Sequence, residues 1–213
     1  MSEVVLDEQG HPAAPGAGKA ILWPDDASSK LAYKDDVGRG FLVGGGVSNA
    51  SQADQGPGFA SDTYVTDSGL IIPSFGLQSR TKLFWRIQAG KTGAGTATPI
   101  YQVRIGSNQS VADTSRLTLT GPAQTAVADE AVIDIWVILR NAGAAATLRG
   151  VVWVTHNTSS TTGFANVVSP VTTAVSGAFD STSHVGGQFV GLSINGGASA
   201  AWTVRQVMGS MDW

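Results

Sequence analysis

Residues 131–140 read AVIDIWVILR, and the alternation of their side chains predicts the fold class. Every second side chain from Ile133 to Leu139 is aliphatic and falls on one face of the segment. A period of two is typical of a β-strand and not of a helix. The opposite face still carries Trp136 and Ile138, which are too apolar for open water. We therefore expect that face to be covered, either inside the fold or by another subunit.

Eight further segments of residues 59–213 show similar strand-like patterns, separated by turns rich in Gly, Asn, Asp and Ser. The nine predicted strands are 62–66, 82–89, 99–106, 116–120, 131–140, 147–156, 167–175, 187–195 and 200–208. The chain of 213 residues contains 27 glycines, and only 14% of it is charged. Many tight turns and few helix-surface residues favour β-structure. We predict an all-β fold, with residues 59–213 forming an antiparallel β-sandwich of jelly-roll type.

The front of the chain has a different character. Short apolar runs at 20–23, 31–33 and 40–43 alternate with turn-forming strings, which predicts a β-meander too small to be stable alone. Three glycines at 44–46 and a polar stretch at 47–58 predict a linker. The predicted organisation is thus a leader over 1–46, a linker over 47–58 and a body over 59–213. The leader carries four basic and seven acidic residues, whereas the rest of the chain is neutral.

Composition excludes several classes of function. The net charge of −3 offers no electrostatic footprint for nucleic acid or for an anionic membrane. The sequence has no run of 18 apolar residues and no secretory signal. We therefore expect no nucleic-acid or membrane partner and synthesis in a cytoplasm. The absence of cysteine excludes disulfides and thiolate metal sites.

No motif predicts catalysis or a cofactor. The Gly-Lys-Thr triplet at 90–92 resembles a phosphate-binding loop, but Trp85 occupies the position where that motif requires glycine. His11, His156 and His184 have no second ligand at a metal-binding spacing. We expect no catalytic residue, no cofactor and no bound metal.

The two tryptophans of the central strands are the most informative side chains. Trp136 and Trp153, with Ile138 and Val151, fall on the strand faces opposite the aliphatic ones. Packing in the core and contact with another subunit both explain this placement, because aromatic side chains supply large burial at low entropy cost. We consider these four residues a candidate subunit interface. Stacking of an exposed tryptophan on a sugar is a further alternative.

Several phrases of the sequence resemble structural virion proteins of tailed bacteriophages, of the fibre or decoration type. In the body they are NASQADQGPGFASDTYVTDSGLIIPSFGLQSRTKLFWRI at 49–87, KTGAGTATPIYQVRIG at 91–106, ADTSRLTLTGPAQTA at 112–126 and FVGLSINGGASAAWTVRQV at 189–207. In the leader, KLAYKDDVGRG at 30–40 is similar to the front of phage fibre proteins. The resemblance covers about residues 17–208.

The resemblance implies a homotrimer with a jelly-roll-like body, assembled in the host bacterial cytoplasm and located in the virion. It brings no catalytic residues. Residues 1–46 would bind other virion proteins, and a host surface glycan is an additional candidate partner. The candidate attachment residues are the apolar side chains of the leader, namely Ile21, Leu22, Trp23, Leu31, Tyr33 and Phe41.

The leading hypothesis is therefore a short fibre or spike displayed on tail or head. One alternative is a capsid decoration protein that stabilises the shell. Alternatives of another class are a carbohydrate-binding module and a polysaccharide-degrading enzyme. The enzyme would need paired carboxylates, and the acidic residues of the body form no recognisable pair in the sequence.

Overall fold

The computed structural model describes residues 12–35, 40–43, 46–156, 163–165, 171–198 and 202–213. Residues 1–11 of the predicted leader and two of its three glycines, at 44 and 45, lie outside these ranges. Within them the chain is all-β with antiparallel sheets, which confirms the predicted fold class. The one helical element described is a 3-10 turn at Ser181–Ser183, and no helix in these ranges is long and apolar enough to cross a membrane.

The described residues form fifteen strands. In chain order they are β1 Ile21–Asp25, β2 Lys30–Lys34, β3 Gly40–Leu42, β4 Val47–Ser51, β5 Gln55–Gly58, β6 Thr63–Tyr64, β7 Leu70–Ile71, β8 Lys82–Lys91, β9 Ile100–Gly106, β10 Thr114–Thr120, β11 Asp129–Asn141, β12 Thr147–His156, β13 Val171–Val175, β14 Phe189–Asn195 and β15 Trp202–Asp212.

These strands assemble into three antiparallel sheets. The seven-stranded sheet has the order β13-β12-β11-β8-β15-β4, with β5 also paired to β15. The five-stranded sheet has the order β10-β9-β14-β6, with β7 paired to β14. The third sheet is the small meander β1-β2-β3, which confirms the meander expected in the leader. The specific jelly-roll connectivity stays a prediction.

The two large sheets enclose the core between them. Period-two alternation places Ile133, Ile135 and Val137 of β11 on the inner face, where they are buried. Strand β10 lies against β12 across the layers. The sheets approach so closely at Gly150 that a Cβ atom there would lie 2.6 Å from Leu117 Cδ2. The aliphatic face of β11 that the sequence predicts therefore lines the core between the two sheets.

The stretch 47–58 is not an unpaired linker. It forms β4 and β5, both paired to β15, and β4 runs in register from Val47 opposite Met211 to Ser51 opposite Val207. The sequence hides this because β4 lies at an edge of the sheet, where only its first and last side chains are buried. A short edge strand needs few apolar residues, so its polar sequence is typical of a linker as well.

The meander shares the hydrophobic core of the body. Trp23, Ala32 and Leu42 lie side by side across β1, β2 and β3, and all three belong to the main buried cluster. Their contribution makes the leader part of the folded unit, because a three-stranded sheet of this size gains stability from packing on a partner surface.

Asp25 fastens the meander to the body. Its buried carboxylate accepts hydrogen bonds from the backbone N–H of Ser28 at 2.8 Å and of Ser74 at 3.1 Å, and from both serine hydroxyls. Ser28 lies in the β1–β2 turn and Ser74 in the loop after β7. One side chain thus satisfies donors from both parts of the chain.

A buried histidine packs the loop that follows β13 against β10. His184 Nε2 lies 3.1 Å from Arg116 Nη2, and its Nδ1 lies 2.9 Å from Gln188 Oε1. Because a guanidinium can only donate, Nε2 accepts and the Nδ1–H donates to Gln188. Burial is the main cause that lowers the pKa of His184; the charge of Arg116 adds to it, while Gln188 and Asp180 act in the opposite direction.

We expect Asp25→Ala to lower the free energy of unfolding by about 1–3 kcal/mol, because it leaves buried donors without an acceptor. The matched control is Asp26→Ala, since Asp26 is exposed and its loss should cost under about 0.5 kcal/mol. Urea denaturation measures both. Equal effects of the two substitutions would contradict the anchoring role of Asp25.

We expect the stability of the protein to fall as the pH drops below about 6.5, the ordinary histidine value. The pKa of His184 is lower in the folded state, so the unfolded chain takes up the proton first and is favoured by acid. Above that pH both states are neutral at this site and the effect disappears. His184→Gln should flatten the dependence between pH 7 and 5, measured by denaturation at each pH. An unchanged slope would contradict the assignment.

Candidate interaction surfaces

The outer face of the seven-stranded sheet carries a row of side chains with two aromatic rings at its centre. Strand register places these side chains next to one another across five strands, in the order Thr173, Val151, Trp136, Phe84 and Ser210. The rings of Phe84 and Trp136 are tilted, with centroids 4.4 Å apart. We call this set the Trp136 row.

A second row lies one pleat further along the same face. It runs Val171, Trp153, Asp134, Arg86 and Met208, and we call it the Trp153 row. Arg86 donates two parallel hydrogen bonds to Asp134, from Nε and Nη2, both at 2.8 Å. These bonds, together with the Asp134 charge, raise the pKa of Arg86. The pair neutralises the polar centre of an otherwise apolar row.

A third row borders the Trp136 row on its other side. It runs Val175, Arg149, Ile138, Lys82 and Asp212, and we call it the Ile138 row. A groove of about 530 Å³ lies between the Ile138 row and the Trp136 row. Its walls are apolar in the middle and charged where Lys82, Arg149 and Asp212 contribute.

The structure places all four predicted interface residues on the outer face of the seven-stranded sheet. The exposed fractions of Trp136, Trp153 and Ile138 are 54%, 53% and 37%, and Val151 is half-buried. The alternative in which the two tryptophans pack in the core is therefore wrong for the single chain. All four residues lie on one continuous face, and Trp136 and Val151 are direct cross-strand neighbours.

The sequence did not single out four other apolar members of this face. Phe84 is half-buried, and Val171, Val175 and Met208 are exposed. Their signal was period-two alternation: VTTAV places both valines of β13 on one side, and Phe84 shares a face with Lys82 and Arg86. Which side faces the solvent follows only from the sheet packing, so the pattern alone could not assign them.

The meander presents a second, smaller apolar surface. Leu22, Tyr33 and Phe41 lie next to one another across its three strands, and the rings of Tyr33 and Phe41 stack with centroids 5.0 Å apart. Leu22 and Tyr33 are exposed. We call these three residues the meander patch.

The other candidate attachment residues of the leader are less accessible. Trp23 follows Leu22 in a strand, so its side chain points the opposite way, and it is buried in the core with 1% exposure. It cannot contact another protein in this conformation, which corrects the expectation for that residue. Ile21 and Leu31 are half-buried.

A polar cleft of about 430 Å³ borders β6 and the loop after β9. Its walls include Asp62, Tyr64, Asp67 and Gln109. Asp62 forms an ion pair with the buried guanidinium of Arg104, so its charge is balanced from within the fold. In the part of the chain that the structure describes, no three histidine or carboxylate side chains lie close enough to hold a metal ion.

The three rows and the meander patch are suited to contacts with other protein surfaces. Exposed aromatic and aliphatic side chains grouped on one face, rimmed by polar ones, are typical of a contact surface. Comparison of the chain with protein-family models, with curated proteins and with solved structures gave no match.

We expect Trp136→Ala and Trp153→Ala to change the stability of the isolated chain by no more than about 1 kcal/mol, because both side chains are exposed. Trp85→Ala is the matched comparison. Trp85 is fully buried and donates its Nε1–H to Ser68 O at 2.8 Å, so its loss should cost about 3–5 kcal/mol. Denaturation at a protein concentration too low for association measures all three. A large loss in the Trp136 variant would show that this ring supports the fold.

Proposed function

We propose that this protein is a structural component of a tailed-bacteriophage virion: a homotrimeric short fibre or spike displayed on tail or head. The observation that carries the proposal is the outer face formed by the Trp136, Trp153 and Ile138 rows, in which two exposed tryptophans and several aliphatic side chains lie among polar and charged ones. The resemblance of the sequence phrases to phage virion proteins supports the biological setting, and the face supports self-association.

This face is smaller than a complete subunit interface. Three rows across five strands span about 14 Å by 19 Å between the outermost Cα positions. That is a few hundred Å², about the size of the largest apolar patch on a monomeric protein, which is often functional. Two tryptophans at its centre would each bury a large area at low entropy cost. A stable interface needs about 800 Å² on each partner, so neighbouring parts of the chain would have to contribute as well.

The meander patch supports a separate role in attachment. Leu22, Tyr33 and Phe41 lie on the leader, away from the Trp136 row in sequence and on a different sheet. In a trimer that uses the large face for its own subunits, the exposed Leu22 and Tyr33 of the meander patch would bind another virion protein. The leader would thus act as the attachment element, although it shares its core with the body.

A capsid decoration protein remains the alternative with the same surfaces. Both functions use a self-associating body and a patch that binds the virion, and they differ in location and copy number. Electron micrographs of the virion with the protein labelled distinguish them, because a decoration protein covers the shell whereas a fibre or spike occurs at the tail or at vertices.

We expect the purified chain to be a trimer, with a mass about three times the 21.9 kDa of one chain, measured by light scattering at micromolar concentration. Trp136→Ser combined with Trp153→Ser should convert it to monomers, because the centre of the apolar face is lost. The control is Gln88→Ser, an exposed position of β8 outside the three rows, which should stay trimeric. A monomeric wild-type chain would overturn the proposal.

We expect Leu22→Glu combined with Tyr33→Glu to abolish binding to particles that lack the protein, because two charges would be placed in the meander patch. The variant should remain a trimer. Val127→Glu is the control, since Val127 is equally exposed but lies in the loop before β11. Co-sedimentation with particles measures binding. Full binding by the double variant would move the attachment site elsewhere on the chain.

A further inference from the structure

The inference that follows rests on the proposed trimer. Threefold symmetry restricts how the apolar face of each copy can be covered. A face that packs on the same face of a second copy generates a twofold axis and stops at a dimer. In a trimer each contact is heterologous, so one surface meets a different part of the neighbouring copy. The face therefore needs a complementary segment elsewhere in the chain.

The groove between the Trp136 row and the Ile138 row defines what that segment must look like. It is lined by residues of five neighbouring strands of the sheet, in the order β13, β12, β11, β8 and β15. Four inter-strand spacings of about 4.8 Å give it a length of about 19 Å. Apolar side chains, including those of Phe84, Trp136 and Ile138, form its middle. It fits an extended segment of about six residues with apolar side chains at its centre.

Two cations set the charge preference of the groove. Lys82 and Arg149 flank Ile138 on the neighbouring strands, and both are exposed. Within the described residues neither forms an ion pair. Asp212 is the acidic group at the β15 end. An apolar segment that carries acidic residues would complement most of this lining.

Residues 3–8 of the chain have this composition. They read Glu-Val-Val-Leu-Asp-Glu, so three consecutive apolar residues lie between acidic ones, and residues 1–11 contain no lysine or arginine. Six extended residues span about 20 Å, which matches the length of the groove. In an extended segment Val4 and Leu6 share one face. Residues 1–11 lie outside the described part of the chain.

The structure shows where this segment joins the folded part. Lys34 Nζ donates to Pro12 O at 2.8 Å, and Lys34 lies opposite Gly40 in the meander. The carbonyl of Gly40 accepts a hydrogen bond from Gln78 Nε2 at 2.8 Å. Gln78 is four residues before Lys82, a groove residue. Only residues 9–11 separate the segment from Pro12, so its last residue can lie at most about 13–14 Å from Pro12. The exchange therefore requires the threefold axis to bring the groove of an adjacent copy within that reach.

We propose that residues 3–8 of each copy bind in the groove of the next copy around the threefold axis. Val4 and Leu6 cover Trp136 and Ile138, and the acidic side chains pair with Lys82 and Arg149. In this arrangement every subunit places its own segment in the groove of one neighbour and receives the segment of the other neighbour. It also supplies interface area that the sheet face alone lacks.

Charge exchange in the full chain tests this proposal by sedimentation equilibrium. Lys82→Glu with Arg149→Glu should weaken trimer formation at least tenfold, and so should Glu3→Lys with Glu8→Lys. The four substitutions together should restore association to near the wild-type value, since both partners then carry reversed charge. Lys19→Glu with Arg80→Glu reverses two exposed cations outside the groove and should leave the trimer intact. Val4→Ser with Leu6→Ser should weaken it without any change in charge.

The outcomes separate this inference from the proposed function. If the wild-type chain is a monomer or a dimer, the trimer itself is wrong and the segment exchange falls with it. If the wild type is a trimer and either charge-reversed pair associates as tightly as the wild type, the exchange is wrong while the proposed function stands. A fourfold variant that stays as weak as the separate pairs also overturns the exchange.

Discussion

Strand β11 is held in one register by its inner face, and the outer surface of the protein follows from that constraint. Ile133, Ile135 and Val137 must point into the core, because turning them outward would expose a whole aliphatic row. The same parity then fixes Trp136 and Ile138 on the outside, where no part of the described chain covers them. The apolar outer face is thus imposed by the backbone and cannot be removed by a change of side-chain rotamer.

The remaining elements add to this central strand from both sides. Strand β8 places Phe84 beside Trp136, and β12 and β13 extend the face with Val151 and Thr173. The meander shares the core of the body through Trp23 and is fastened by Asp25, and the meander patch and the three rows lie on different sheets. The separation allows one to bind without disturbing the other.

Periodicity predicted the all-β class, the meander and the central strands, because aliphatic alternation is strong where both neighbours of a strand are buried. It failed at β4 and β5, whose edge positions need few apolar side chains. It identified Trp136 and Trp153 but could not choose between core and surface, since parity gives two faces without saying which one meets the second sheet. Trp23 shows the same limit: it is one residue from exposed Leu22 and wholly buried.

Strand β13 leaves an edge of the seven-stranded sheet unpaired within the described part of the chain. Among the described strands it pairs only with β12, and its sequence, VTTAV, carries no charge and no proline. Such an edge is a template for further strand addition, the first step towards insoluble aggregates. If the proposed trimer forms, its free subunits would be at risk until incorporation, which favours rapid assembly over a long-lived soluble pool.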